Sequence, residues 1–555
     1  MKTLAQALNL TARLWLPRLL TQVCRDPLSP LWGSFDRDWW HYRIRDFSSL
    51  ILQQGGYAVY LASERAENAG QRAALRQLAG AAAFFWNQRA LRRGAFEEYY
   101  PWEQGYPPLA FSTLAVMKLA AAGVVPPARV RAGAAVAARQ LQARFEARAA
   151  NQQVAGLAGL AWGRKIFPEL VSDARFETLI QQSLALQTPE GWFQEYGGPD
   201  LGYLSVTVDC LWDLYDATGD QRFTTAIDRA AACLRQFLQL LPSGSLGMHN
   251  SRNTDYLVPY GLVRLALQQP TPENVSLVSR LFSGTASPGH FFNAVDDRYV
   301  SHYIGQSVFR AVLLLEQAAE LAVKQAAEQT VERAAELPVA AVSAVTASHP
   351  FAHLTASGHF LRQTASGQSL VVTLRKGGIF SQHMAGGSVH DFGWVLEAAG
   401  RQHISHWWSD DWKYGETDDG LWVEGALYEH RELANTPARH MALRLASLVA
   451  GHRLIGLLKK KLIFKKRPSP IHLRRTLIWK SDGVRVVDVF SQVPAGVEFL
   501  PAPRSSKRHV ASADSFQQED FQPLLGGQLV REFKAFAQGM EIVTDYTVGA
   551  YPPAA

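Results

Sequence analysis

From about Asp36 to Gln329, apolar residues recur at a three-to-four spacing in segments rich in Ala, Leu, Arg and Gln, broken by loops of Gly, Pro and aromatic residues. The spacing predicts helices over Gln71–Asn87, Pro107–Ala122, Arg129–Ala149, Leu204–Thr218, Arg222–Leu241 and Ser307–Gln329. Successive helices joined by loops make hairpins, and hairpins assemble into a bundle, a solenoid or a closed toroid. Periodicity does not choose among these, and no clean short repeat is present. Ahead of them, Met1 to Arg25 carries apolar stretches interrupted by Arg13 and Arg18, without a small-residue cleavage site, and reads as an amphipathic helix.

The pattern changes between Ala319 and Ser348, where Ala, Val and Glu dominate ahead of Pro350. Beyond it come short Thr/Val/Ser-rich runs, Phe360–Gln363, Ser369–Arg375, Trp394–Ala398, Arg475–Trp479 and Val484–Val493, with glycine pairs at Gly377 and Gly386. These predict strands. The expected organisation is an N-terminal helical extension (1–35), a helical domain (36–345) and an antiparallel sheet domain (346–555). A helical or irregular basic insertion at about 439–470 interrupts the last.

Composition narrows the class. A chain of 555 residues exceeds what one hydrophobic core serves, so more than one domain is expected. With 47% hydrophobic and 19% charged residues it is a globular protein, and no stretch is long and apolar enough to span a bilayer. Absence of an export signal favours a cytoplasmic or peripheral membrane location. The net charge of +7 favours an anionic partner. The basic run Lys459, Lys460, Lys461, Lys465, Lys466 and Arg467 lacks the stacking aromatics of a nucleic-acid site. It is read as a solvated face or a peripheral membrane contact through 459–467, and no nucleic-acid partner is expected.

Cys24, Cys210 and Cys233 have neither metal nor disulfide spacing. His403 and His406 would face opposite sides of a strand, so no metal is expected. Nucleophile-elbow, phosphate-loop and dinucleotide fingerprints are missing, which removes support for acyl-transfer, nucleotide and nicotinamide chemistry, and no cofactor is expected.

Several loops concentrate polar and aromatic residues. In Asn151-Gln152-Gln153, three amides stand at the mouth of a small-residue helix, where they cap it or donate to a carboxylate. The loop from Gly191 to Tyr203 sets Glu195, Tyr196, Asp200 and Tyr203 among glycines and a proline. Aromatic stapling and function are both open there. His249, Asn250, Arg252 and Tyr256 form one polar cluster between helices, and His302 closes another. Each caps helices or lines a sugar cleft. In the sheet domain His390 and Asp391 enter an apolar strand, and Trp407 joins the candidates for sugar binding.

An Asn-x-x loop, a Gly-Trp-Phe-x-Glu loop ending in Tyr, and a His-Asp-Phe-Gly-Trp-Val-Leu-x-x-x-Gly strand follow one another in that order. This order resembles the heparinase II/III-like polysaccharide lyases. The resemblance covers about residues 80 to 500. It implies an incomplete (α/α) toroid followed by an antiparallel β-sandwich domain, with the cleft between them. It implies that Asn151 neutralises a uronate carboxylate, with Gln152 or Gln153 assisting, that Tyr203 is the acid/base and that His390 is the histidine from the sheet domain. Glu195 matches an acidic position in the tyrosine loop. The family's Asn-Asn-His triplet is Asn-Gln-Gln here, and Leu204 stands where histidine is common.

The expected reaction is β-elimination in an acidic, uronate-containing polysaccharide or oligosaccharide. Donors must offset the carboxylate charge before the C5 proton can leave, and a neighbouring cation or donor must help a tyrosine act as base. Tyr203 and His390 share the acid and base roles, and Arg252 is a second activator. The alternatives are a non-catalytic glycan-binding or assembly protein of exopolysaccharide or capsule synthesis, a uronate C5-epimerase, and a toroid glycoside hydrolase using Glu195 with Asp200 or Asp255.

Overall fold

A computed structural model describes residues 2–92, 94–241, 247–282, 290–329, 350–384, 387–398, 400–431, 436–463, 465–503, 524–525 and 527–548. The expected boundary at 345/346 and Gly386 lie outside these residues.

Among the described residues, twelve helices of nine residues or more build the first part. They are α1 (Lys2–Gln22), α2 (Gly55–Ser63), α3 (Ala69–Leu91), α4 (Tyr106–Ala121), α5 (Arg131–Ala143), α6 (Ala150–Ile166), α7 (Asp173–Leu184), α8 (Leu201–Thr218), α9 (Gln221–Leu238), α10 (Tyr260–Gln268), α11 (Pro272–Phe282) and α12 (Tyr303–Gln329). The even-numbered helices touch one another in cyclic order, α2 to α4, α6, α8, α10 and α12, and α12 returns to α2. The odd-numbered helices pack outside them, so the helical part is a toroid of hairpins. Burial follows the two layers. α4 is buried along nearly its whole length, whereas α9 buries one stripe including Phe223, Ile227, Leu234 and Phe237. The N-terminal helix α1 turns Leu4, Leu8, Trp15 and Leu19 inward and packs on α12.

Fifteen strands follow among the described residues. One sheet runs in the order β1 (Phe351–Leu354), β2 (His359–Gln363), β3 (Ser369–Thr373), β4 (Ile379–Met384), β5 (Gly387–Asp391) and β13 (Leu524–Leu525). The other runs in the order β12 (Glu498–Pro501), β6 (Trp394–Ala398), β7 (Arg401–Ile404), β9 (Gly420–His430), β10 (Pro468–Trp479), β11 (Gly483–Ser491), β15 (Gly539–Val548) and β14 (Gly527–Phe536), with β8 (Lys413–Thr417) beside β9. All their pairings are antiparallel.

The period-2 alternation of β2 and β3 places the first sheet in the middle. Phe360, Leu370 and Val372 enter the core shared with the second sheet, while Leu361 and Val371 join the core of the toroid. Hence the architecture is a helical toroid followed by an antiparallel β-sandwich. Between β9 and β10 the chain forms α13 (Pro437–Ala450) and α14 (His452–Leu458).

Candidate active site

Where the toroid meets the residues of α13 and α14, a cavity of about 360 Å³ opens. Among the sequence candidates it gathers Asn151, Gln152, Tyr196, Tyr203, Arg252 and His302. Its apolar wall includes Ile51 and Phe111 from the toroid, with Leu443, Ile455 and Leu458 from the helical insertion. Such a mixture of apolar and aromatic lining with a few convergent polar groups is typical of small-ligand sites.

Local structure explains how the polar groups converge. Asn151 and Gln152 lie in the first turn of α6, where backbone amides lack intrahelical partners. Glu195 supplies one partner: its Oε1 accepts from the Asn151 amide at 2.7 Å. Burial lifts the Glu195 carboxyl well above its ordinary range, although the Asn151 amide opposes that shift. Next in the chain, Tyr196 adopts a left-handed backbone (φ 54°), uncommon for a side chain of this size, and its amide is held by the Arg148 carbonyl at 2.6 Å. The Tyr196 hydroxyl accepts from Gln152 Nε2 at 3.0 Å, while the Arg252 guanidinium and Lys459 Nζ lie 4.4 and 5.8 Å from its ring centre. Lys459 also donates to Glu146 Oε2 at 2.5 Å.

Asp200 organises the other wall. As N-cap of α8 its Oδ1 accepts from the Tyr203 amide at 3.0 Å, its Oδ2 accepts from the Arg252 amide at 3.2 Å, and the Thr254 hydroxyl donates to it as well. One buried carboxylate therefore sets the positions of both Tyr203 and Arg252. The Tyr203 ring meets Tyr256 edge to face, and the Tyr256 and Tyr303 hydroxyls are 2.6 Å apart. His302 is 2% exposed, and neither ring nitrogen has a hydrogen-bond partner among the described residues. Burial, aided by Arg298, lowers its pKa to about 3, so the imidazole is neutral near pH 7.

The remaining candidates lie outside this lining. Gln153 faces the helical core, accepting from the Tyr106 hydroxyl at 2.8 Å and donating to Ser183 at 3.2 Å. Asn250 ties its loop to α8, accepting from the Leu201 amide at 3.0 Å and donating to the Thr254 carbonyl at 2.8 Å. His249 spans the junction of toroid and sandwich, 2.7 Å from Thr373 Oγ1 and 2.9 Å from Ser381 Oγ. His390 is 2.9 Å from the same Ser381 hydroxyl and stacks on Phe392. Trp407 stacks on Tyr428 within the sandwich. His390 is not among the residues that line the cavity.

Two carboxyls that sequence reasoning passed over do line it. Glu98 and Glu103 are 6% and 5% exposed, and Glu103 Oε2 accepts from the amides of Glu98 and Tyr99 at 2.9 and 2.7 Å. Burial raises both carboxyls, and the charge of Glu98 raises Glu103 further. The signal was available in Glu97-Glu98-Tyr99-Tyr100-Pro101-Trp102-Glu103, an acidic and aromatic loop of the same character as the loop of Glu195. Among the described residues, no group of three or more His, Cys, Asp or Glu side chains is arranged to hold a metal ion.

No protein-family profile and no curated protein matches the chain. Among solved structures, a Streptomyces coelicolor A3 chondroitin AC lyase in complex with chondroitin sulphate is similar at 11% identity and a TM-score of 0.48, over 98% of this chain and 77% of that one. A mutant of the Streptomyces coelicolor A3 chondroitin AC lyase is similar at 10% identity and a TM-score of 0.43, with the same coverage. Likenesses this low do not bear on the chemistry of the present chain.

Proposed function

We propose that the protein is a polysaccharide lyase-like enzyme that cleaves a uronate-containing acidic polysaccharide by β-elimination. The observation that supports this reading is the meeting of Asn151, Gln152, Tyr203, Arg252 and His302 in one cavity. The Asn151 and Gln152 side chains and the Arg252 guanidinium offset the uronate carboxylate, which acidifies the C5 proton. A base then takes that proton, its C–H electrons form the C4–C5 double bond, the C4–O bond breaks, and the leaving oxygen receives a proton. The Tyr203 hydroxyl and a histidine, His302 from the lining or His390 from the sheet domain, are the groups for those transfers. Placement within the heparinase II/III-like group is part of the same proposal, resting on the order of the Asn151, Tyr203 and His390 motifs.

The test is incubation of the purified protein with a panel of uronate polymers, following the ultraviolet absorbance of the unsaturated product. Turnover is expected, with Tyr203→Phe lowering kcat by about 100-fold or more while the thermal melt is unchanged. Binding without any product would leave a glycan-binding role instead, and C5 proton exchange without cleavage would mark an epimerase.

The buried pair Glu98 and Glu103 in the same cavity favours a second reading, glycoside hydrolysis by paired carboxyls. A saturated reducing end, with activity lost in Glu98→Gln and Glu103→Gln, selects it.

A further inference from the structure

The helical insertion has two faces of different use. Toward the toroid, Leu443, Ile455 and Leu458 line the cavity, and the Ser447 hydroxyl donates to the Pro101 carbonyl at 2.9 Å. Away from it, Met441, Leu445, Leu448 and Val449 recur at helical spacing along α13 and stand open to solvent, 64%, 64%, 44% and 91% exposed. Leu457 of α14 adds another 54% exposed apolar side chain. Isolated exposed leucines are ordinary, but a stripe along one helix face is not.

Charge separates the segment from the rest of the chain. Residues 437–467 contain nine lysines and arginines and no aspartate or glutamate. Against a net +7 for the whole chain, everything outside this segment carries a net −2. Some of the nine are engaged: Arg444 pairs with Asp46, Lys459 with Glu146 and Lys466 with Asp411. Arg453 of α14 and Lys460 and Lys461 just after it are exposed.

We propose that this hairpin docks on the surface of an anionic lipid bilayer, with the stripe of α13 seated among the acyl chains and the basic side chains on the headgroups. A soluble polyanion would satisfy the charges and leave the stripe in water, whereas a bilayer interface takes both. Among the described residues no helix is long and apolar enough to cross a membrane, so the contact is interfacial. Because one side of the hairpin is cavity wall, docking holds the cavity about one helix diameter, roughly 10–12 Å, from the acyl chains.

Co-sedimentation of the full chain with phosphatidylcholine vesicles, with and without phosphatidylglycerol, tests this. The readout needs no turnover and so stands apart from the lyase reading. Binding is expected only to the anionic vesicles and is expected to weaken with salt. The double variant Lys460→Gln, Lys461→Gln should bind roughly 25-fold more weakly, about fivefold per lysine. Leu445→Ser with Val449→Ser should lose about tenfold or more, with the circular dichroism spectrum unchanged. Equal binding to neutral vesicles, undiminished binding by either double variant, or retention by soluble polyglutamate without any vesicle binding would each overturn the proposal.

Discussion

Burial gives His302 a property its sequence position does not: a pKa near 3 against an ordinary 6.5, which keeps the imidazole neutral near pH 7 and makes it a weak proton acceptor. The same shift ties stability to pH. Between those two values the unfolded chain binds a proton that the folded protein does not, so stability falls as pH drops from 6.5 toward 3. Glu98 and Glu103 act in the opposite sense. Their raised folded pKa values favour the native state at low pH, and that contribution fades as pH rises through them. His302→Gln is therefore expected to narrow the gap in urea stability between pH 7 and pH 5, and equal gaps in variant and parent would refute the assignment. In the sequence His390 stands as the acid/base histidine that the resemblance implies, and His302 only as a residue that caps helices or lines a sugar cleft. What separates them is the path of the chain: His302 stands at the mouth of α12, while β5 turns His390 to Ser381 and Phe392. For Glu98 and Glu103 the loop is legible as acidic and aromatic, but the burial that sets their carboxyls apart depends on partners distant in the chain.

The elements were more legible, since a three-to-four or two-residue period is local. Trp394–Ala398 is read from the sequence with the ends it has as β6, and Leu204–Thr218 falls within α8. The expected helix Arg129–Ala149 stops at Ala143 because Arg144 turns extended and Ala149 pairs with Glu195, a partner distant in the chain. Arg475 shows what an element hides from its own sequence. It sits at a buried position of β10 with no exposure, its Nε and Nη2 donating to Asp488 at 2.7 and 2.8 Å and its Nη1 to Asp391 at 3.0 Å. Tyr546 and Trp394 complete the shell at 2.7 Å each. Burial alone would raise the Asp391 carboxyl, and Arg475 with the Tyr546 hydroxyl holds it below the usual range. Arg475→Met would strand two buried carboxyls, and a loss of about 3–5 kcal/mol in urea unfolding is expected. A loss below about 1 kcal/mol would mean the network contributes little.

At the scale of the whole molecule, the sandwich steadies a loop of the toroid. Lys376, buried after β3, donates to the carbonyls of Met248 and Asn250 at 2.7 and 2.5 Å and to the Asn253 side chain, so its contacts fall on both sides of Arg252 in the chain. Lys376→Met should cost roughly 2–3 kcal/mol of stability and raise KM more than it lowers kcat, because it loosens a binding residue without removing it. A fall in kcat alone would contradict that. None of this contact is legible in the sequence, where more than a hundred residues separate the partners, and the same holds for the ring of inner helices. That ring ends where it began, with α12 against α2. During synthesis the exposed side of α2 must wait for a partner some 240 residues downstream. At about 5–20 residues per second that wait is on the order of 10–50 s. The seam that shuts last in space is therefore also the last in time, and the nascent chain carries an open apolar edge until the ribosome has passed α12.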